Sequence, residues 1–133
     1  MEILKYAHEG KRLIRVFEND KWTVGIKNWK PENDLSQVDC LERHNESDEL
    51  FVLLAGHCTL LYANGSGDDL MIGKVDMEPY AVYNIPATLW HNTVTQRDTK
   101  LVLIEDSATG AANSDVKKLT AGQIDEIRAM LSE

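Results

Sequence analysis

Cysteine, proline and phenylalanine are scarce in this chain of 133 residues, at two, three and two copies. Two cysteines, Cys40 and Cys58, are too few for a disulfide framework and fall in different strand segments, so free, buried thiols that fill the core are expected. Positive charge is scarce as well. Fourteen Lys and Arg stand against 22 Asp and Glu, a formal net charge of −8, and Lys117-Lys118 is the largest basic cluster. Binding a phosphate backbone needs a basic face, so nucleic acid is excluded as a partner. No apolar run approaches the length of a membrane span, and Met1–Tyr6 lacks the charged start and long apolar core of a secretion signal. A cytoplasmic protein without a membrane partner is expected. Repeats, low-complexity stretches and linkers are also missing, and the length suits one domain, 1–133, with a core that needs no staples.

Strand signal is plentiful. Arg12–Phe17 and Trp22–Ile26, joined by a turn at Asn19-Asp20, predict a hairpin. A strand from His57 to Tyr62 runs into Asn64-Gly65, a strong turn signal, and Leu70–Met77 returns from it. The apolar run Lys100–Glu105 is short enough to be a buried strand, with Leu101 and Leu103 lining the interior. Eight or nine strands at this spacing predict a barrel or sandwich over about residues 12–106. The tail changes character. Thr120-Ala121-Gly122-Gln123 has the form of a capping box, and Ile124, Ile127 and Leu131 recur at helical spacing, predicting one short C-terminal helix over about 121–132. Packing on its own barrel is the simpler role for that helix, with a place in a subunit contact as the alternative.

The candidate chemistry lies in two segments. In Glu42–Gly56 a polar stretch passes into an apolar one, which predicts a strand, a turn and a second strand. Residues two apart on a strand share a face, so Glu42 and His44 point the same way. Glu49 opens the second strand and shares its face with Phe51 and Leu53. An unpaired carboxylate on an apolar wall is costly, and a metal ion or a protonated partner would relieve that cost. The second segment, Tyr80–Val94, predicts a strand, a turn fixed by Pro86, and a strand that begins at His91. That turn can swing His91 back toward His44. Two imidazoles and a carboxylate suit manganese, iron, nickel, copper or zinc. His57 reads as structural, facing either the cavity or the outside, and His8 as solvated.

At these residues the chain resembles the cupin superfamily, whose motifs read G-x5-H-x-H-x(3,4)-E-x6-G and G-x5-P-x-G-x2-H-x3-N. His44, Glu49 and Gly56 match the first at its spacing, and Pro86 and His91 match the second. Ser36, Tyr80 and Thr88 replace motif glycines, Thr95 replaces the final asparagine, and Glu42 stands where the family has its first histidine. The resemblance covers roughly residues 35 to 105. It implies an all-β double-stranded β-helix, or jelly-roll barrel, with His44, Glu49 and His91 as ligands of a divalent transition metal (Mn, Fe, Ni or Zn). Glu42 reads either as a surface carboxylate paired with Arg43 or a lysine or, where it points inward, as a fourth metal ligand or a catalytic general base. The function expected is isomerase, lyase or dioxygenase chemistry on a small sugar-like or hydroxy/keto-acid substrate. The alternative is a non-catalytic or structural cupin that binds a small ligand with or without metal. Cupins of this size commonly form homodimers through their sheets, so a homodimer is expected.

Overall fold

Alternation of side chains along strand β4 (Glu49–Ala55) sets the pattern of the fold: Glu49, Phe51 and Leu53 are buried, and the intervening Leu50 and Val52 are only half-buried. The computed structural model describes residues 1–132. Nine further strands are described. They are β1 (Leu13–Glu18), β2 (Trp22–Asn28), β3 (Cys40–His44), β5 (Cys58–Asn64), β6 (Met71–Asp76), β7 (Val82–Ile85), β8 (Trp90–Thr95), β9 (Lys100–Asp106) and β10 (Ser114–Lys118). They form two antiparallel five-stranded sheets, one in the order β1-β2-β9-β4-β7 and the other β10-β3-β8-β5-β6. Consecutive strands alternate between the sheets at several crossovers, which gives a jelly roll in place of a simple meander.

The inner faces of both sheets meet over Phe51, Leu53, Cys58, Leu60, Met77, Ile85, Leu101 and Leu103. The outer face of the second sheet holds a second core, in which Leu41, Leu61, Val94 and Val38 are buried under helix α1 (Ala121–Leu131) through Ile127. Full burial of an isoleucine side chain contributes about 2 kcal/mol before cavity terms. Thr120 caps this helix by accepting from the Gln123 backbone, and the Gln123 side chain accepts from the Thr120 backbone. The helix therefore packs on the sheet of its own chain, and it is not long or apolar enough to cross a membrane.

Several boundaries differ from the sequence reading. The first strand starts at Leu13 because Arg12 takes a left-handed φ of 75°. The fifth starts at Cys58, which leaves His57 exposed outside the barrel, where its Nδ1 lies 3.1 Å from Asp98 Oδ2. The barrel continues past residue 106. Strand β10 pairs along the whole of β3, with Ser114 opposite His44 and Val116 opposite Glu42. Its sequence, Ser-Asp-Val-Lys-Lys, carries too little apolar alternation to read as a strand, as is common for edge strands protected by lysine. Both thiols are free; Cys58 is buried and Cys40 half-buried. Burial pushes the Cys58 thiol up to about 12, so it stays unreactive near neutral pH.

Candidate metal centre

Register places the polar residues in rows at one end of the barrel. On the first sheet Thr23, Glu105 and Glu49 lie in one row across β2, β9 and β4, while Gly25, Leu103 and Phe51 form the next. Arg15 of β1 lies opposite Gly25. On the second sheet Val116, Glu42, His91 and Tyr62 form a row across β10, β3, β8 and β5. The two sets face each other across a cavity of about 540 Å³ lined by Arg15, Lys27, Glu42, His44, Glu49, His91 and Glu105, with Phe51, Leu103 and Val116 as apolar wall.

Glu49 Oε1 is the centre of the cluster, 3.3 Å from His44 Nε2 and 3.2 Å from His91 Nε2. Glu105 Oε2 lies 3.8 Å from His44 Nε2. The two imidazole rings meet edge to face with centroids 5.4 Å apart. Each ring is held by its other nitrogen. His91 Nδ1 is 2.9 Å from the Leu89 carbonyl oxygen, and His44 Nδ1 is 2.8 Å from Ser114 Oγ. A carbonyl oxygen can only accept, so the Leu89 contact puts an N–H on His91 Nδ1 and both Nε2 atoms point into the cavity. Glu42, His44 and His91 bring ligand atoms within 4.8 Å of one another, and so do His44, Glu49 and Glu105.

The Pro86 turn positions His91. Thr88 donates its backbone N–H to the His44 carbonyl oxygen at 2.7 Å, tying the turn directly to the strand that carries the other imidazole. Thr88 does so at a φ of 73°, and Tyr80 has a φ of 70°. These are two of the places where the cupin motif has glycine. Both residues hold a left-handed backbone without being glycine, at a strain of roughly 1–2 kcal/mol each.

The electrostatics follow from two carboxylates in one buried row. Glu49 and Glu105 are directly opposite on adjacent strands and only 5% and 7% exposed. Burial alone would push Glu49 up, yet hydrogen bonds from His44 and His91 and their charge hold it down at about 2. Glu105 goes the other way. Burial first, then repulsion from Glu49, raises it to about 7, against the opposing pull of His44 and of Arg15, whose guanidinium lies 3.6 Å away. The contact with Glu49 raises the His44 imidazole above its usual value, more than burial lowers it.

The four residues singled out from sequence are therefore together: His44, Glu49 and His91 converge, and Glu42 faces inward beside His91. Arg43, next in sequence to Glu42, turns outward to Asp115 and stacks over Trp90. Sequence reading missed Glu105, Arg15, Lys27 and Ser114. The signal for Glu105 was present, since it continues the parity of Leu101 and Leu103 just as Glu49 begins that of Phe51 and Leu53. Each of the two groups, Glu42 with His44 and His91, and His44 with Glu49 and Glu105, could hold a metal ion. Donor atoms spaced 3.2–3.3 Å apart match the roughly 3.0–3.4 Å between ligands bound about 2.1 Å from one ion.

No protein-family model matches the sequence, and no curated protein matches it. Solved structures do. A cupin-2 domain protein from Shewanella frigidimarina aligns with a TM-score of 0.54 at 14% identity, over 75% of this chain and 84% of that one. A Streptomyces protein, PAC13, solved with uridine, aligns at 0.58 and 12% identity over 92% and 98%. Bacillus subtilis oxalate decarboxylase aligns at 0.56 and 12% identity over 96% of this chain, which spans only 34% of the decarboxylase. With its two five-stranded antiparallel sheets and short C-terminal helix, the chain has the cupin fold.

Proposed function

We propose that His44, Glu49 and His91 hold a divalent transition metal, with Glu42 beside them, and that the cavity takes a small oxygen-rich substrate. One observation carries this reading. The Leu89 carbonyl fixes a proton on His91 Nδ1, so that Nε2 of His91, like Nε2 of His44, is turned on the Glu49 carboxylate at 3.2 and 3.3 Å. A carboxylate facing two imidazole nitrogens calls for positive charge between them, which one metal ion or a proton on each Nε2 would supply. A bound ion supplies Lewis acidity to a carbonyl or hydroxyl oxygen. The protein's own residues supply the rest. Phe51 and Leu103 form a buried apolar wall that keeps water from the inner side, and Glu42, half-buried opposite His91, would take a proton from the substrate. A net charge of −8 agrees with a small ligand more than with nucleic acid.

The test is elemental analysis of purified protein before and after adding Mn(II), Fe(II), Ni(II) or Zn(II), followed by turnover assays on sugars and on hydroxy and keto acids. About one ion per chain is expected. Glu42→Gln should keep the ion and lose turnover by roughly a hundred-fold or more, the scale of a general base. Failure to take up any of the four ions defeats this reading.

A second copy of the chain completes the proposal. Helix α1 covers the outer face of one sheet, but the corresponding face of the other presents Ile14, Ile26, Val102, Val52 and Val82 in one register row and Val24, Ile104 and Leu50 in the next. All of them are exposed or half-buried. Strands spaced about 4.8 Å apart make the first row roughly 19 Å long, and an apolar face of this extent is characteristic of an interaction surface. Light scattering is expected to give twice the 15.0 kDa chain mass. Val102→Lys should give the monomer with an unchanged circular dichroism spectrum, and a monomeric wild type would rule out this contact.

A further inference from the structure

We infer that Lys27 is an anion anchor, and that the substrate class of this cavity is a small carboxylic acid carrying a second oxygen function, such as a 2-oxo or 2-hydroxy acid. The inference deepens the proposal above by naming the ligand, but it stands on a different group. On β2, Thr23, Gly25 and Lys27 share the inner face, with Lys27 opposite Leu101, a residue buried in the barrel. An apolar neighbour is expected there, and an ammonium is found. Its Nζ donates to Thr93 Oγ1 at 2.7 Å and has no carboxylate oxygen within 4.0 Å among the described residues. Burial first, then Lys30, lowers the pKa of this amine, while Glu42 and Glu49 oppose the shift; in its charged form it has three N–H donors, so two are left for a ligand.

The cavity holds one other cation, Arg15, and that one is committed: its Nη2 donates to the Thr109 carbonyl at 2.9 Å and lies 3.6 Å from Glu105. Lys27 makes no such ion pair and lies on the wall shared with Glu42 and Val116 that separates the main cavity from a second one of about 320 Å³. One 540 Å³ space thus joins an uncommitted ammonium to the cluster of His44, Glu49 and His91. A neutral sugar would leave that ammonium without a direct ion pair. A carboxylate pairs with it, and charge-assisted hydrogen bonds of this kind are the stronger ones. The second oxygen of the same small molecule is then free to face the imidazoles.

Calorimetric titration tests this with pyruvate and glycolate against their neutral counterparts hydroxyacetone and ethylene glycol, and with inorganic phosphate, on wild type, Lys27→Met and Lys27→Arg. Each is titrated both metal-free and after loading with Mn(II). Wild type is expected to prefer the acid over its neutral counterpart by about 10–100-fold, the value of a hydrogen bond to a charged group. Lys27→Met should lose that preference, and Lys27→Arg should keep most of it. Absence of the preference in wild type, its persistence in Lys27→Met, or tighter binding of phosphate than of either acid would each overturn the assignment. Metal content is read on the same samples. An acid preference without metal uptake sinks the metal centre and leaves the anchor, whereas metal uptake without the preference does the reverse.

Discussion

Glu49→Gln is expected to lower the affinity for Mn(II) or Zn(II) at least ten-fold, a conservative figure because losses of 10–100-fold are typical even for residues one shell removed from a metal. The reason is local. Among the described residues, Glu49 Oε1 is the carboxylate oxygen that lies within 3.3 Å of both inward-facing imidazole nitrogens. Glutamine keeps the volume and removes the charge. It also changes the hydrogen bonding, because the new amide N–H can donate to an Nε2 lone pair, which a carboxylate cannot do. The variant thus replaces the cation with an internal donor, and the fold should be retained while the site closes. Isothermal titration with metal, together with thermal melts of the metal-free protein, checks both halves. An affinity within two-fold of wild type would remove Glu49 from the ligand set.

How much of this was open to sequence reading depends on the range of the interaction involved. Parity along one strand is local, so Glu49, Phe51 and Leu53 on one wall, and Glu42 with His44 on another, could be read directly. The helix was equally legible, since the capping box of Thr120 and Gln123 and the spacing of Ile124 and Ile127 span only a few residues. The 3.2 Å contact of His91 with Glu49 joins residues 42 positions apart. Motif spacing pointed to it, but only through resemblance to a family. What stayed hidden depends on register between distant strands. Lys27 reads as one charge in a hairpin until β2 is paired with β9, and Ser114 reads as loop until β10 is paired with β3. The motif glycines give a different lesson. Thr88 and Tyr80 keep left-handed backbone where sequence rules favour glycine, because the hydrogen bonds around the turn, such as Thr88 to the His44 carbonyl, over-determine the conformation.

Glu105 leads to the second large effect, on the stability of the metal-free protein. Its folded value of about 7 lies above an ordinary 4.5. Below 4.5 the group is protonated in both folded and unfolded states. As pH rises from 4.5 to 7 the unfolded chain releases that proton first, so stability falls through this window. Glu49, depressed to about 2, does the opposite: its contribution is complete above 4.5 and lost as pH falls toward 2. His44, raised by its contact with Glu49, stabilises fully below 6.5 and loses that contribution as pH rises through its folded value. Glu49 contributes fully above pH 4.5, His44 fully below 6.5, and the Glu105 term declines from 4.5 upward, so metal-free protein in chelator should melt highest near pH 4.5. Glu105→Gln removes the like charge from the row and leaves an amide that can donate to Glu49. It is expected to raise stability at pH 8 by on the order of 1–3 kcal/mol, a rise in Tm of several degrees for a chain this size, and to change little at pH 4.5. Melts across pH 3–9 measure it. A gain at pH 8 no larger than at pH 4.5 would mean that Glu105 shares no charge repulsion with Glu49. The two carboxylates are opposed on adjacent buried strands, an arrangement that costs stability in the protein alone. A cation bound beside the two imidazoles would offset that repulsion, so the opposed carboxylates and the two Nε2 atoms turned on Glu49 both favour positive charge at this point.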